Sequence, residues 1–202
     1  MKFTVAIDGP AASGKGTISK RIANFFKFSY LDTGMIYRVI GLKTLTGLEP
    51  LDAVAGLNEN DFNLPNLRNE EVSKAASMVA KNPAVREALL EYQRHFSRRE
   101  GGAVLDGRDI GTVICPAADI KFFVTASEEV RAKRRFKELS LRNNGIVFET
   151  VLADLKSRDQ EDTDRATSPL RMSADAVLLD TTKLSIDASV ETAIEVISSV
   201  YK

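Results

Sequence analysis

Phe3-Thr4-Val5-Ala6-Ile7-Asp8-Gly9-Pro10-Ala11-Ala12-Ser13-Gly14-Lys15-Gly16-Thr17 is an alternating apolar run that stops at Asp8 and opens into the pattern G-x-x-x-x-G-K. Phe3, Val5 and Ile7 share one face of a strand, and Ile18, Ile22, Ala23 and Phe26 follow at helical spacing. A strand, a glycine-rich turn and a helix in this order make a phosphate-binding P-loop. Gly9 and Gly14 permit the tight turn that aims successive N–H groups at phosphate oxygens, Lys15 supplies a point charge over the terminal phosphates, and the helix adds its positive end. The next position, where a Ser or Thr hydroxyl meets magnesium in P-loop switches and motors, is Gly16, with Thr17 after it. No Asn-Lys-x-Asp segment, the guanine reader of GTPases, occurs in the chain.

The 202 residues are 44% apolar, enough to bury one core, so a single domain is expected over 1–202. Lysines and arginines number 28 against 28 acidic residues, a balance that argues against nucleic-acid or anionic-membrane binding by bulk electrostatics. Cys115, the single cysteine, excludes an internal disulfide and suits a reducing cytoplasm; between Ile114 and Pro116 it reads as a buried structural thiol. No apolar run approaches the roughly 18 residues of a membrane span. His95 is the one histidine, read as solvated on a helix face, so no zinc site is indicated.

Strand-like runs recur at 4–8, 29–32, 103–106, 121–125 and 176–179 with helical periodicity between them, which predicts an α/β fold with a five-stranded parallel sheet flanked by helices. Asn82 is placed as an N-cap with Pro83 at the first helical position and Val85, Leu89, Tyr92 and Phe96 inward; Ser127 opens a helix carrying Arg131, Arg134 and Arg135. Val190, Ile194 and Ile197 form the buried side of a closing helix over 188–201. Two stretches break the pattern. Residues 47–69 read as a loop-rich insert covering a substrate, and 158–171, charged and holding Pro169, as a lid.

Parallel sheets bind ligands beyond the carboxyl ends of their strands. Asp8, Asp32 and Asp106 stand at three such ends. Asp8 or Asp106 could hold the water shell of a magnesium ion, while Asp32, followed by Thr33 and Gly34, reads equally as a helix cap. Arg38, Arg86, Arg108, Arg131, Arg158 and Arg165 each lie in or within two helical turns of a strand-end loop or the lid. Planar guanidinium groups in such places suit a site that must crowd several phosphates together.

Gly-Lys-Gly-Thr resembles the nucleoside monophosphate kinases, and the ordered set of segments narrows this. Leu31-Asp-Thr-Gly-Met-Ile-Tyr-Arg38, Ala75-Ala-Ser77, Pro83-x-Val-Arg86, Asp106-Gly-Arg-Asp-x-Gly-Thr112, Arg158-Asp-x-x-Asp-x-x-Arg165 and Asp180-Thr-Thr resemble the bacterial cytidylate kinase family over nearly the whole chain. The P-loop alone would not separate it from adenylate, guanylate or shikimate kinases; adenylate kinases usually carry Asp-Gly-Phe-Pro-Arg where this chain has Asp106-Gly-Arg-Asp. The resemblance implies an ATP-dependent transfer to CMP and dCMP in the cytoplasm, with Mg2+, by a monomer with neither nucleic-acid nor membrane partners. It implies a P-loop of Gly9, Pro10, Ala11, Ala12, Ser13, Gly14, Lys15, Gly16 and Thr17 around the ATP phosphates. Thr33, Tyr37, Arg38, Arg108 and Asp109 would line the monophosphate pocket, within a monophosphate-binding region of about 33–100. Ser77 and Arg86 would read the pyrimidine edge, Arg158 and Asp162 approach the ribose, and Arg165 bridge the transferring phosphate. Lys15, Arg108, Arg131 and Arg165 are the expected catalytic set, and no protein side chain is expected to ligate the magnesium directly. The short stretch between Leu48 and Arg68 implies a trimmed insert over the monophosphate.

Overall fold

The computed structural model describes residues 1–141 and 145–201. Its centre is a five-stranded, all-parallel sheet of β1 (Thr4–Asp8), β2 (Ser29–Asp32), β3 (Ala103–Gly107), β4 (Ile120–Thr125) and β5 (Val177–Asp180), in the order β2-β3-β1-β4-β5. Alternation along the strands divides the core into two layers. Val5, Ile7, Val104, Phe122 and Val124 face α1 (Lys15–Phe26) and α8 (Ile186–Val200), meeting Ile18, Ile22, Val190, Ala193 and Ile197. Ala6, Leu31, Ala103 and Leu105 face the other way, against α2 (Thr33–Leu45) and α5 (Pro83–Ser97) through Ile36, Ile40, Val85 and Leu89. The period of two thus appears as burial on both faces, which is the signature of a sheet covered by helices on each side.

The helix starts follow from local chemistry. Asp32 accepts from the Met35 amide at 3.1 Å through Oδ1, so this residue is a helix cap by one of its two oxygens. Asn82 accepts from the Ala84 amide at 3.0 Å ahead of Pro83, and Ser127 from the Val130 amide at 3.4 Å at the start of α6 (Glu128–Ser140). The inward face of α5 runs Val85, Leu89, Gln93 and Phe96; Tyr92, expected inside, is 43% exposed, because spacings of four, four and three residues rotate Gln93 into the seam instead.

Residues 47–69 are not the plain loop expected. They contain α3 (Pro50–Ala55) and a 3-10 turn at Glu59–Asn63, the latter closed by a capping box between Asn58 and Asp61. Two residues of types that also mark loops start helical turns here: Pro50 stands at a first helical position, and Asn58 is a cap. Lys43 fastens the segment to α2 by donating to Asp61 at 2.7 Å and to the Gly56 carbonyl at 2.9 Å. α4 (Glu70–Ala80) lies so close to α2 that a Cβ on Gly41 would come within 2.7 Å of the Ala76 nitrogen.

The charged run at 158–171 is likewise only partly irregular. Its first half is the end of α7 (Phe148–Asp164), which packs on α6 and buries Val151 and Leu155 one turn earlier; the chain then runs without regular structure until β5. No described helix is long and apolar enough to cross a membrane.

Asp8 plays a structural part. Both its carboxylate oxygens accept backbone amides, from Ile110 and Gly111, each at 2.7 Å, and so hold a turn of π-helix at Ile110–Ile114 against the end of β1. Its neighbour Gly9 has φ +151, and a Cβ there would sit 2.0 Å from the Val124 carbonyl oxygen of β4. Gly9→Ala should therefore destabilise the chain by about 3 kcal/mol through strain and overpacking. At this chain length that corresponds to a melting temperature lowered by roughly 6–12 °C. Differential scanning calorimetry checks it, and a variant that melts with the wild type would show that β1 and β4 can part without cost.

Candidate active site

The carboxyl ends of β1, β2 and β3 open onto a cleft of about 530 Å³. Residues 11–17 form one wall. Ala12 at φ 57 and Gly14 at φ 94 are both left-handed, the alternation that gathers neighbouring N–H groups into a concave anion seat. Ala12 is a non-glycine residue held in a strained conformation, and such strain persists at sites where backbone geometry is used. Gly14 also caps α1, whose positive end faces the cleft.

All the residues expected at the substrate come together around this space: Thr33, Tyr37 and Arg38 from α2, Ser77 from α4, Arg86 from α5, Arg108 and Asp109 after β3, Arg158 and Asp162 from α7, and Arg165 beyond it. Lys15 lines it too. Three residues expected there do not. Gly9 is spent on the close approach to β4, Pro10 faces a second, shallower hollow, and Arg131 turns away behind the P-loop. Arg131 is 5% exposed, donates to the Ala126 carbonyl at 2.8 Å and the Ala11 carbonyl at 3.3 Å, and pairs with Asp159, so its donors stitch α6 and α7 to the loop. Asp8, named above as a possible neighbour of a metal, is consumed by the π-helical turn and does not line the cleft. Asp106 does line it.

The sequence reading also missed lining residues. Arg134 and Arg135 sit three and four positions after Arg131, on the same face of α6, and line the cleft, while Arg131 is held back by its own partners. Arg134 donates to the Ser13 carbonyl at 3.1 Å and to the Thr181 carbonyl at 2.9 Å, tying the P-loop to the turn after β5. Arg68, Tyr30 and Thr181 line the space as well. Period-two spacing from Asp32 was the available signal for Tyr30.

Among the described residues ten lysines and arginines face the cleft with five carboxylates. Burial pushes the Lys15 ammonium down to about 8, with Arg108 adding to the effect and Asp106 and Asp32 opposing it. Arg38 and Arg158 are both pushed to about 10, by burial and then by cationic neighbours, Arg158 on the first and Arg108 on the second. Among the described residues Arg158 Nε and Arg165 Nη2 have no acceptor within hydrogen-bond distance, Arg165 Nη2 facing Asp109 Oδ1 only at 3.6 Å. Asp162 accepts from Arg108 Nε at 2.6 Å; burial works against its charge, yet Arg108, Arg158 and Arg165 together hold it below the usual carboxylate range. At the far end Arg86 pairs with the buried Asp109, which lies 3.6 Å from Arg165, and the Ser77 hydroxyl donates to the Ser73 carbonyl at 3.2 Å, leaving its lone pairs to accept. Crowded, partly desolvated cations with donors to spare are what a site for several phosphates requires.

Comparisons with known proteins agree. Residues 5–199 match the family profile described as cytidylate kinase. A cytidylate kinase of Cereibacter sphaeroides is 56% identical over 98% of this chain and 96% of its own length. One from Paramagnetospirillum magneticum is 49% identical over 98% of this chain and 99% of its own. Among solved structures, a gluconokinase from Sinorhizobium meliloti superposes with a TM-score of 0.54 at 15% identity, covering 98% of this chain and 92% of that one, a likeness in fold alone.

Lys15 titrating near 8 sets a pH dependence for polyphosphate binding. The anion favours the ammonium form, so above about pH 8 binding must take up a proton and affinity falls by up to roughly tenfold per pH unit, whereas below about pH 7 Lys15 contributes no slope. Calorimetric titration of inorganic tripolyphosphate from about pH 6.5 to about pH 9.5, a range that spans the midpoint on both sides, should show this slope in wild type and lose it in Lys15→Met. Equal slopes in the two proteins would assign the titration to another group.

Proposed function

The chain belongs to the cytidylate kinase family, and from that premise we propose a specific use of each part of the cleft. The reaction is the transfer of the ATP γ-phosphoryl group to the phosphate of CMP or dCMP. A bond forms between the γ-phosphorus and a CMP phosphate oxygen while the bond to the ADP leaving oxygen breaks, in line and with no covalent enzyme intermediate. The observation that carries this reading is the cationic cleft with the P-loop at one end and the Arg86–Asp109–Ser77 constellation at the other.

In this reading the loop amides and Lys15 seat the ATP phosphates, while Thr33, Arg38 and Arg108 hold the CMP phosphate and Tyr37 closes the pocket beside it. Arg158 and Asp162 approach the ribose. Arg165, whose Nη2 has no hydrogen-bond acceptor among the described residues, neutralises charge on the group in flight. The segment beyond α7 serves as a lid whose closure excludes water and spares ATP from hydrolysis. Arg131, placed behind the P-loop, acts by supporting the loop rather than by touching phosphate.

No group of three or more histidines, cysteines or carboxylates is placed to hold a metal among the described residues. Mg2+ suits this donor set, since it keeps several waters and binds through substrate phosphates with one or two carboxylates. Asp106 and Asp32, opposite one another at the ends of β3 and β2, would hold its water shell, and burial followed by the Asp32 charge raises Asp106 to about 6. When bound, the ion would supply neutralisation of the charge on the nucleotide phosphates.

Cytosine presents an N4 amino donor with O2 and N3 acceptors; Arg86 donates to the acceptors, and Ser77 with Asp109 accepts from the amino group. A site built to hydrogen-bond its substrate rejects analogues that leave its polar groups unpaired. ADP release measured with CMP, dCMP, UMP and AMP should therefore rank CMP and dCMP first, UMP intermediate and AMP far behind. Equal use of AMP and CMP would overturn the base assignment. Arg86→Ala should raise the KM for CMP by roughly a hundredfold, as loss of a charge-assisted bond and its buried geometry demands, with the KM for ATP nearly unchanged. Melting should accompany the kinetics, because stranding the Asp109 charge costs about 3 kcal/mol of stability.

Arg165→Ala is expected to lower kcat more than it weakens CMP binding, and Arg165→Lys to recover only part, since a point charge lacks the planar fork. Steady-state kinetics on both variants decides it. Lost CMP affinity at unchanged kcat would make Arg165 a ground-state binder.

A further inference from the structure

Gly16 occupies the position at which P-loop proteins ordinarily carry a hydroxyl for the nucleotide-bound magnesium, and it bears no side chain. The structure fills that gap from another strand. A Cβ built on Gly16 would lie 3.5 Å from Asp106 Oδ2 and 3.8 Å from the Tyr30 hydroxyl oxygen. Those two oxygens are themselves 2.6 Å apart, the tyrosine donating. They flank the space that a serine hydroxyl at position 16 would enter.

We infer that Tyr30 and Asp106 together supply the oxygen pair that stands in for the missing P-loop hydroxyl, with Tyr30 a positioning residue for the hydrated Mg2+ of the bound nucleotide. Three features of the chain make the hydroxyl a fixed element. Tyr30 lies in β2 and its ring packs against the core layer formed with α1 and α8, so the phenol is rooted in the core while the residue lines the cleft. The Lys20 ammonium stands 5.8 Å from the ring centroid on the cleft side. Burial, with the Asp106 and Asp32 charges next, raises the phenol far above its ordinary value, so it stays a neutral donor. Donating to Asp106 Oδ2 turns the carboxylate toward the P-loop and leaves Asp106 Oδ1 and the tyrosine lone pairs to accept from water bound to the ion.

This inference rests on the kinase reading only for its activity arm. Wild type, Tyr30→Phe, Gly16→Ser and the double variant would be compared by melting, by initial rate with ATP and CMP against free Mg2+, and by Mn2+ binding to the enzyme saturated with a non-hydrolysable ATP analogue, followed by electron paramagnetic resonance. Tyr30→Phe should melt close to wild type, raise the half-saturating Mg2+ and weaken Mn2+ binding by roughly tenfold each, as loss of a charge-assisted hydrogen bond and its orientation predicts, and leave the KM for CMP alone. Gly16→Ser introduced beside Tyr30→Phe should restore metal binding to within about threefold of wild type, its hydroxyl entering the space the two oxygens share. Metal dependence in Tyr30→Phe equal to wild type would overturn the inference, and so would a loss that Gly16→Ser leaves uncorrected. Should wild type release no ADP in response to CMP, the kinase reading fails while the Mn2+ measurements still decide the role of Tyr30.

Discussion

Repulsion among the cations around the central cleft is the constraint on which the rest of the structure depends. Lys15, Arg38 and Arg158 are all pushed below their ordinary ranges, first by burial. Isolated, such groups would cost more than a small domain can spare. The fold offsets this with carboxylates delivered by regular elements: Asp32 and Asp106 at neighbouring strand ends, Asp109 after β3, and Asp162 one helical turn beyond Arg158 on α7. A parallel sheet is suited to this, because its strand ends all open on the same side and bring acid and base from distant parts of the sequence to one place. The balance is left short of neutral, and bound phosphates complete it.

Partnership sorts the arginines better than their position in the sequence does. Arg131 and Arg134 spend their donors on the carbonyls of Ala11, Ala126, Ser13 and Thr181, so they act as struts between the P-loop and the helices behind it. Arg158 and Arg165 keep nitrogens without hydrogen-bond acceptors among the described residues. A strut whose donors are satisfied by the protein itself gains nothing from phosphate, whereas an unsatisfied donor does. Asp8 belongs with the struts, its two oxygens committed to the amides that carry the chain from Asp109 into the π-helical turn.

Much of the fold was legible because period-two alternation and capping residues act locally. The five strands were expected within one residue at each boundary, and Asn82, Ser127 and Asp32 cap as their chemistry suggests. The site was legible where a motif fixed a backbone path, as in residues 11–17 and the strand-end segments. It was not legible where side-chain partners decide. Arg131, Arg134 and Arg135 stand three and four residues apart on one face of α6, yet the Ala126 and Ala11 carbonyls and Asp159 draw Arg131 behind the P-loop, and nothing in composition names those partners. Residues 47–69 misled for another reason: Pro50 and Asn58 carry the same local signal in a turn as at a helix start, and only the packing of Ala53 and the Lys43–Asp61 bond selects the second.

The two ends of the cleft rest on different foundations. The P-loop is held by β1, β4 and α6, within the sheet and its nearest helix. Ser77 and Arg86 instead stand on α4 and α5, and α4 packs on α2 through the close approach at Gly41 rather than on the sheet. Asp109 joins these parts, since its carboxylate meets Arg86 from α5 and Arg165 from beyond α7 while its own backbone leads from β3 into the π-helical turn. A charge shared by three elements makes their contributions interdependent. Any group that competes for Asp109 also changes what Arg165 is bound to, so in the proposed use of the cleft the base and the phosphates would draw on one carboxylate.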